Sequence, residues 1–357
     1  MAARSSPNPV TLAVIAKKTG LSPSTVSVVL NGKARERKIA RTTEERVLAA
    51  VRGLKYQPNF FASQLRRSAS NLLMICVQQF HDLHSSGTAE AFVRRAAQRG
   101  YHVLLSALLD QPDSIGSSDA ILGPQGAVGL AVVGSAADRL CRDSLKCWLD
   151  RGVRVVSIEW RIEDPRVSHV LTDEVTGGRL AADHVYQQGV KEVWALAGNQ
   201  RYPFIDRVRG YQLAAATAGA PQPRLFWVVE DQDDWADQGY RLIQQALSEP
   251  GTPRPEALLG VGGMLTVAGV QALTEKGLAI GRDVAVVSYH SGPLGRYFSP
   301  TLTTVDPSVK EAGEAAADLL IDLLEGKAEP GVERTFRPSL TVRESGRWGK
   351  SHRLSSA

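Results

Sequence analysis

Residues 10–32 read VTLAVIAKKTGLSPSTVSVVLNG, and their punctuation divides them into two short helices. Thr11 is a suitable N-cap before an apolar pattern at Leu12, Ile15 and Ala16, with Val10 placed to staple against Ile15. Gly20 ends this helix in a tight turn. Ser22 caps the second helix, and Pro23 takes its first position, where a missing N–H costs nothing. Val26, Val29 and Leu30 make the buried stripe, leaving Ser24, Thr25, Ser27 and Val28 off it, and Asn31-Gly32 closes the segment. Two short helices with a glycine turn, and small side chains exposed on the second, outline a helix-turn-helix. An ordinary helical hairpin has the same outline, so the residues that follow must decide.

Downstream, Thr42 and Glu45 have the spacing of a capping box ahead of the apolar Val47, Leu48, Val51 and Leu54 of a third helix. Pro58 stops that helix, Asn59 caps a short Ala/Leu segment, and Arg66-Arg67 follow. In their order and spacing the words VTLAVIAKKTGLSPSTVSVVLNG, TTEERVLAAVRGLKYQPN and FASQLRR resemble the lac-repressor/galactose-repressor family of transcription regulators. The resemblance implies that the second helix enters the major groove of DNA. It also implies that NFFASQL is a hinge helix that folds on operator DNA and wedges Leu65 into the minor groove. Carried over position by position, Pro23, Ser24 and Val28 read bases, while Thr25, Ser27 and Asn31 contact phosphates or support the turn. Thr11, Ser22, Asn59, Ala62 and Arg66 complete the expected DNA-binding set.

Two departures from the family pattern stand out. Val28 occupies a place where a polar or basic reader is usual, and a valine there can meet a thymine methyl instead. The loop GKARERKIART is longer than usual by about three residues. Its Arg35, Arg37 and Lys38 are expected phosphate contacts, which add affinity without sequence information.

Charge agrees with this reading. Residues 1–70 hold 13 Lys/Arg against three Glu, a net of +10, whereas the remainder carries −5. A basic head on a mildly acidic body is the pattern of a polyanion-binding module joined to a sensor or an enzyme. The start MAARSSPNPV lacks the apolar run of a signal peptide, no stretch has the length of a membrane span, and three cysteines suit a reducing cytosol. A cytoplasmic location is therefore expected.

After Ser70 the pattern changes to apolar strands alternating with amphipathic helices. LLMICVQ, HVLLSAL, VGLAVVG and VRVVSIEW form one series of strands, and EVWALAG, RLFWVVE, EALLGVG and DVAVVSY form a second. Continuous apolar strands between helices mean parallel sheets covered on both faces, with ligands bound at the carboxyl edges of the strands. The fold expected is an all-α helix-turn-helix and hinge helix followed by an α/β core of two lobes, which resembles periplasmic-binding-protein-like sensors. The boundaries read as 1–56 for the DNA-binding domain, 57–69 for the hinge and linker, 70–345 for the core and 346–357 for a basic tail. Within the core, lobe 1 is expected over about 70–171 and 302–332, and lobe 2 over about 172–301 and 333–345.

The resemblance also carries over an effector site. DRVRGYQ points to Arg207 as the residue that grips the ligand, TDEVTGG to Asp173 at the lobe crossover, DDWADQGY to Trp235 as a stacking face and VVSIEW to Glu159 near the cleft. Here the chain departs from the family again. Gly262-Gly263 stand in place of an Asn-Asp pair, and His290 in place of an aspartate, which removes groups that hold sugar hydroxyls. The departures imply either a core that has lost effector binding or a different effector class, an unidentified small molecule, sugar-derived or anionic, with Arg207 and a protonatable His290 favouring the anion. His81-x-x-His84 with His290 is a paper candidate for a metal or anion site. Among seven histidines such spacing is common, so a surface-loop position is expected for the pair and no metal or cofactor is assigned.

No nucleophile elbow, HExxH or phosphate loop supports an enzyme. A transported-solute binding protein shares the core pattern but needs export. The sequence therefore favours a homodimeric regulator, by family default a repressor, that binds double-stranded operator DNA and has no membrane partner. The tail RESGRWGKSHRLSSA has no leucine heptad with which to build a tetramer.

Overall fold

The computed structural model describes residues 10–30, 32–56, 70–78, 80, 82–107, 122, 126–137, 142–229 and 234–349. They fall into two compact units, Met1–Ser68 and Ala69–Ala357. Among the described residues no helix is long and apolar enough to cross a membrane.

In the first unit three helices, α1 (Leu12–Thr19), α2 (Pro23–Leu30) and α3 (Arg41–Gly53), enclose a small core of Ile15, Ala16, Val26, Val29, Ala34, Val47 and Ala50. Gly20 adopts φ +66°, and its N–H bonds the Ala16 carbonyl, so the glycine turn forms as expected. The Ser22 cap also forms, its hydroxyl accepting from the Thr25 N–H at 3.1 Å. Two expected caps do not. Thr11 has extended backbone at the N-cap position but makes no side-chain capping bond. The Thr42–Glu45 capping box is absent because α3 begins two residues earlier than that box requires, at Arg41 after Ala40, and Glu45 instead receives Arg41 Nε at 3.1 Å.

The second unit contains two six-stranded sheets. The first has the order β11-β5-β4-β3-β1-β2, from strands Leu72–Val77 (β1), His102–Ala107 (β2), Ala127–Val133 (β3), Arg154–Ile158 (β4), Ser168–Thr172 (β5) and Glu333–Phe336 (β11). The second has the order β12-β10-β9-β8-β6-β7, from Val193–Ala197 (β6), Arg224–Trp227 (β7), Ala257–Gly260 (β8), Ala285–Tyr289 (β9), Thr303–Asp306 (β10) and Ser339–Thr341 (β12). All pairings are parallel except β10 with β12. The eight strands expected from the sequence are present. Four more, β5, β10, β11 and β12, run three to five residues and take their identity from pairing with neighbours.

These pairings move the expected lobe boundaries. β10 belongs to the second sheet, although residues 302–332 were expected in lobe 1, and β11 belongs to the first, although 333–345 were expected in lobe 2. Between them α10 (Val309–Leu324) does return to lobe 1. Its Ala316, Leu320 and Leu323 join the first lobe's core, and its Asp318 and Asp322 bond Arg95 and Arg99 of α4 (Leu83–Gln98). The tail also begins later than expected. Gly346 is buried, accepts from His184 Nε2 at 2.9 Å, and Trp348 packs against the second lobe's core.

Candidate DNA-reading helix and interlobe cleft

In the first unit, burial of Val26 and Val29 fixes which face of α2 is turned outward. Ser22, Pro23 and Ser24 are exposed, while Thr25, Ser27 and Val28 are half-buried. Ser22 Oγ also lies 2.7 Å from Ser24 Oγ and 2.9 Å from Thr25 Oγ1, which orders the start of the helix. The long loop after α2 is a folded turn. Ala34 inserts into the core and accepts from the Ile39 N–H at 2.8 Å, while Arg35, Arg37 and Lys38 are exposed around it. Asn31, Asn59, Ala62, Leu65 and Arg66, and with them the hinge, lie outside the described residues, as does His81.

In the second unit the cleft is built from strand ends. β4 and β9 hold the same place in their respective sheets, and each is followed by a non-glycine residue in the left-handed region: Glu159 (φ +60°) and His290 (φ +56°). Such conformations cost of order 1 kcal/mol or more each and concentrate at functional sites. Backbone bonds hold them there, Glu159 N–H donating to Val170 and His290 N–H to Val305, both at 2.8 Å.

His84, in the first turn of α4, bridges the two. Its Nε2 pairs with Glu159 Oε2, and its ring meets His290 edge-on with centroids 5.1 Å apart. The surface-loop position expected for this histidine is therefore wrong, because Asp82 caps a helix that delivers it into the cleft. Burial opposes charging His84, but the charge and hydrogen bond of Glu159, with Asp82 behind them, outweigh it and raise its pKa. Burial, and then the charge of His84, push His290 down to about 4. His290 is thus neutral near pH 7, contrary to the cationic role expected of it.

Arg207 is also committed elsewhere. Helices α6 (Glu174–Tyr186) and α7 (Phe204–Ala218) cross so closely that a Cβ on Gly178 would lie 2.1 Å from the Arg207 carbonyl oxygen, and one on Gly210 would lie 2.3 Å from that of Val175. This approach brings Arg207 onto buried Glu174 in a two-pronged pair, Nε to Oε2 at 2.7 Å and Nη2 to Oε1 at 3.0 Å. Nη1 donates to the Val261 carbonyl at 2.7 Å, and the guanidinium lies 3.8 Å from the Tyr289 ring centroid. Tyr289 in turn donates to Glu174 at 2.5 Å.

The remaining expected residues take varied places. Asp173 caps α6, accepting from Thr176 N–H at 3.0 Å and Thr176 Oγ1 at 2.7 Å. Trp235 opens α8 (Trp235–Ser248), edge-on to Phe204 at 5.3 Å. Gly262 caps α9 (Gly263–Glu275), with open space where a side chain would stand. A cavity of about 200 Å³ is lined by Asp173, Glu174, Asp206, Tyr202, Thr335 and Arg161. Sequence reading missed Glu174, Asn199, Tyr202 and Tyr289. Glu174 and Tyr289 had a signal, since each adjoins a residue singled out for the site. Buried Glu159 Oε1, Asn199 Oδ1, Tyr202 OH and His290 Nε2 have no hydrogen-bond partner among the described residues. Leaving such groups unpaired costs about 1–3 kcal/mol each, so each calls for a water or a ligand as its partner, as does Tyr211 OH in the core of the second lobe.

The chain's relatives agree with both units. Residues 11–59 match the family of bacterial regulatory proteins, lacI family, and residues 182–346 match a periplasmic binding protein-like domain. The chain is 26% identical to the HTH-type transcriptional repressor PurR of Klebsiella pneumoniae (strain 342), covering 94% of this chain and 96% of that one. It is also 26% identical to PurR of Mannheimia succiniciproducens, covering 94% and 98%. A lac repressor dimer bound to operator and the anti-inducer ONPF superposes with a TM-score of 0.80 at 26% identity, over 95% of this chain and 100% of that one. The transcriptional regulator CelR in complex with cellobiose, at 24% identity and a TM-score of 0.67 over 94% and 100%, shares the fold. With a lacI-type head, a two-sheet sensor core and full-length similarity to these repressors, the chain belongs to the lac-repressor/galactose-repressor family.

Proposed function

We propose that the protein is a cytoplasmic transcription repressor that binds a pseudo-palindromic operator as a homodimer and alters its grip when a small molecule occupies the cleft. The observation that carries this reading is the exposed start of α2, Ser22-Pro23-Ser24, in a unit of net charge +10. Small polar side chains at a helix start can approach base edges, and the surrounding cations neutralise phosphates. Arg35, Arg37 and Lys38 add phosphate contacts from a turn that Ala34 anchors. Leu65 in the hinge acts as the minor-groove wedge, and Arg66 holds the backbone beside it. In the core, the unpartnered groups around Glu159 and His290 support an effector site, with binding rather than catalysis as its task. The basic head argues against both an enzyme and a transported-solute binder.

The test is selection of the full chain against a pool of random duplexes. A pseudo-palindrome with half-sites about 10 base pairs apart supports the reading. Recovery of no common sequence, or of an asymmetric one bound by a monomer, contradicts it.

A further inference from the structure

The two lobes touch through their histidines. His84 stands on α4 of the first lobe and His290 follows β9 of the second, yet their rings meet edge to face with centroids 5.1 Å apart. The backbones approach at the same place, since a Cβ built on Gly292 would lie 3.6 Å from the Leu83 Cβ. The two rings are held unequally. His84 Nε2 pairs with Glu159 of its own lobe, with Asp82 at the start of its helix assisting and Arg207 of the other lobe opposing. That pair survives when the lobes part. His290 has no such partner: its Nε2 is buried and makes no hydrogen bond among the described residues. The charged groups that face it are His84 and Asp82 on α4, Glu159 beyond β4 and Asp306 at the end of β10. Burial and the His84 charge outweigh the three carboxylates. A proton placed on His290 Nε2 while the lobes touch is therefore a buried donor without an acceptor, beside a second cation. With the lobes apart, water solvates both rings and the penalty disappears.

We infer that the His84–His290 contact is a proton-operated latch between the lobes, closed while His84 alone carries a proton and released when His290 takes a second. His290 takes up its proton at about 4 in the closed cleft and near the ordinary value of about 6.5 in an open one. The closed form is thus favoured above about pH 6.5 and loses stability as pH falls towards about 4. Between pH 7.5 and 5.5 the ratio of open to closed lobes rises about tenfold, the effect of one proton. Acid thereby becomes a second input to the core. Its passage to the operator rests on the repressor reading, whereas the latch itself does not.

The experiment follows the full chain without DNA from pH 7.5 to 5.5, by small-angle scattering for the lobes and by the NMR signals of the histidine rings for the protons. His290→Asn identifies the His290 signal and removes the titrating ring while tolerating the left-handed backbone. Leu83→Cys with Gly292→Cys, alongside Cys141→Ser and Cys147→Ser, places two Cβ atoms within disulfide range, so that oxidation clamps the lobes shut. The parent and the reduced clamp are expected to expand as pH falls, while the oxidised clamp and His290→Asn keep their dimensions. The His290 midpoint is expected to lie lower in the oxidised clamp than in the reduced one. His84→Gln, which can still donate to Glu159 but carries no charge, is expected to raise the His290 midpoint and shrink the response; it gives a second reading should the clamp fail to fold. Lobes indifferent to pH, expansion that persists in His290→Asn, or a His290 midpoint that neither oxidation nor His84→Gln moves overturns the inference. Operator affinity is measured on the same samples. A chain that binds operator while its lobes ignore pH keeps the repressor reading and loses the latch, and a chain whose lobes open with acid but which ignores operator does the reverse.

Discussion

At the scale of single residues, His290 shows how position changes a side chain's chemistry. Its neutral form is held by burial and by His84, with the carboxylates of Asp82, Glu159 and Asp306 acting in the other direction. Because its pKa in the folded state lies below the usual 6.5, the fold binds fewer protons there than the unfolded chain does. The resulting stability is present above about pH 6.5 and is lost as pH falls towards about 4. His290→Asn, which tolerates the left-handed backbone, is expected to flatten the acid side of the stability profile relative to the parent, and denaturant unfolding between pH 7 and 4 measures this. A parallel loss in both proteins removes His290 from the account. On α2, Val28 is the proposed base reader that cannot hydrogen-bond. Val28→Ala is expected to relax preference for one thymine-bearing base pair by about 1 kcal/mol, at the low end of a single-base contact, as read from binding to singly substituted duplexes. Residues of this kind differ in how legible they are. Ser22 and Gly20 could be read from sequence because capping is decided within four residues. The commitment of Arg207 could not, because Glu174 lies 33 positions away and only the crossing of two helices joins them.

At the scale of elements, that crossing depends on glycine. Gly178 and Gly210 let α6 and α7 touch backbone to backbone, and no larger side chain fits between them. Gly178→Ala is therefore expected to destabilise the core by about 3 kcal/mol and to disturb the Glu174–Arg207 pair. An unchanged denaturation midpoint would show that the helices part at little cost. The long apolar strands were legible because burial on both faces removes polar residues from them. β5, β10, β11 and β12 carry histidine, threonine, aspartate or arginine and are short, so only their neighbours make them strands. The expected lobe boundaries failed for that reason. The hinge belongs to this scale too. Leu65→Ala is expected to weaken operator binding much more than binding to random DNA, because the proposed minor-groove wedge would stabilise only a kinked duplex. Competition titrations with the two DNAs measure the ratio, and equal losses remove the hinge from the mechanism.

At the scale of the whole molecule, the division of charge carries the functional claim. The head holds a net +10 while the rest of the chain is acidic, so affinity for DNA must reside in the first unit and fall steeply with salt as counterions are released. For about six phosphate contacts the loss between 50 and 200 mM salt is about 10³-fold. The division into a basic reader and a two-lobed sensor was legible from charge and hydrophobic period alone, whereas the electrostatics of the cleft emerged only with the three-dimensional pairing of its charges. The most direct measurement compares the full chain with a chain lacking residues 1–68, on one selected pseudo-palindromic duplex, by fluorescence anisotropy across that salt range. The account predicts tight binding as a dimer with a steep salt slope for the full chain, and no measurable binding for the shortened one. Equal binding by the two, or a full-chain affinity indifferent to salt, contradicts it.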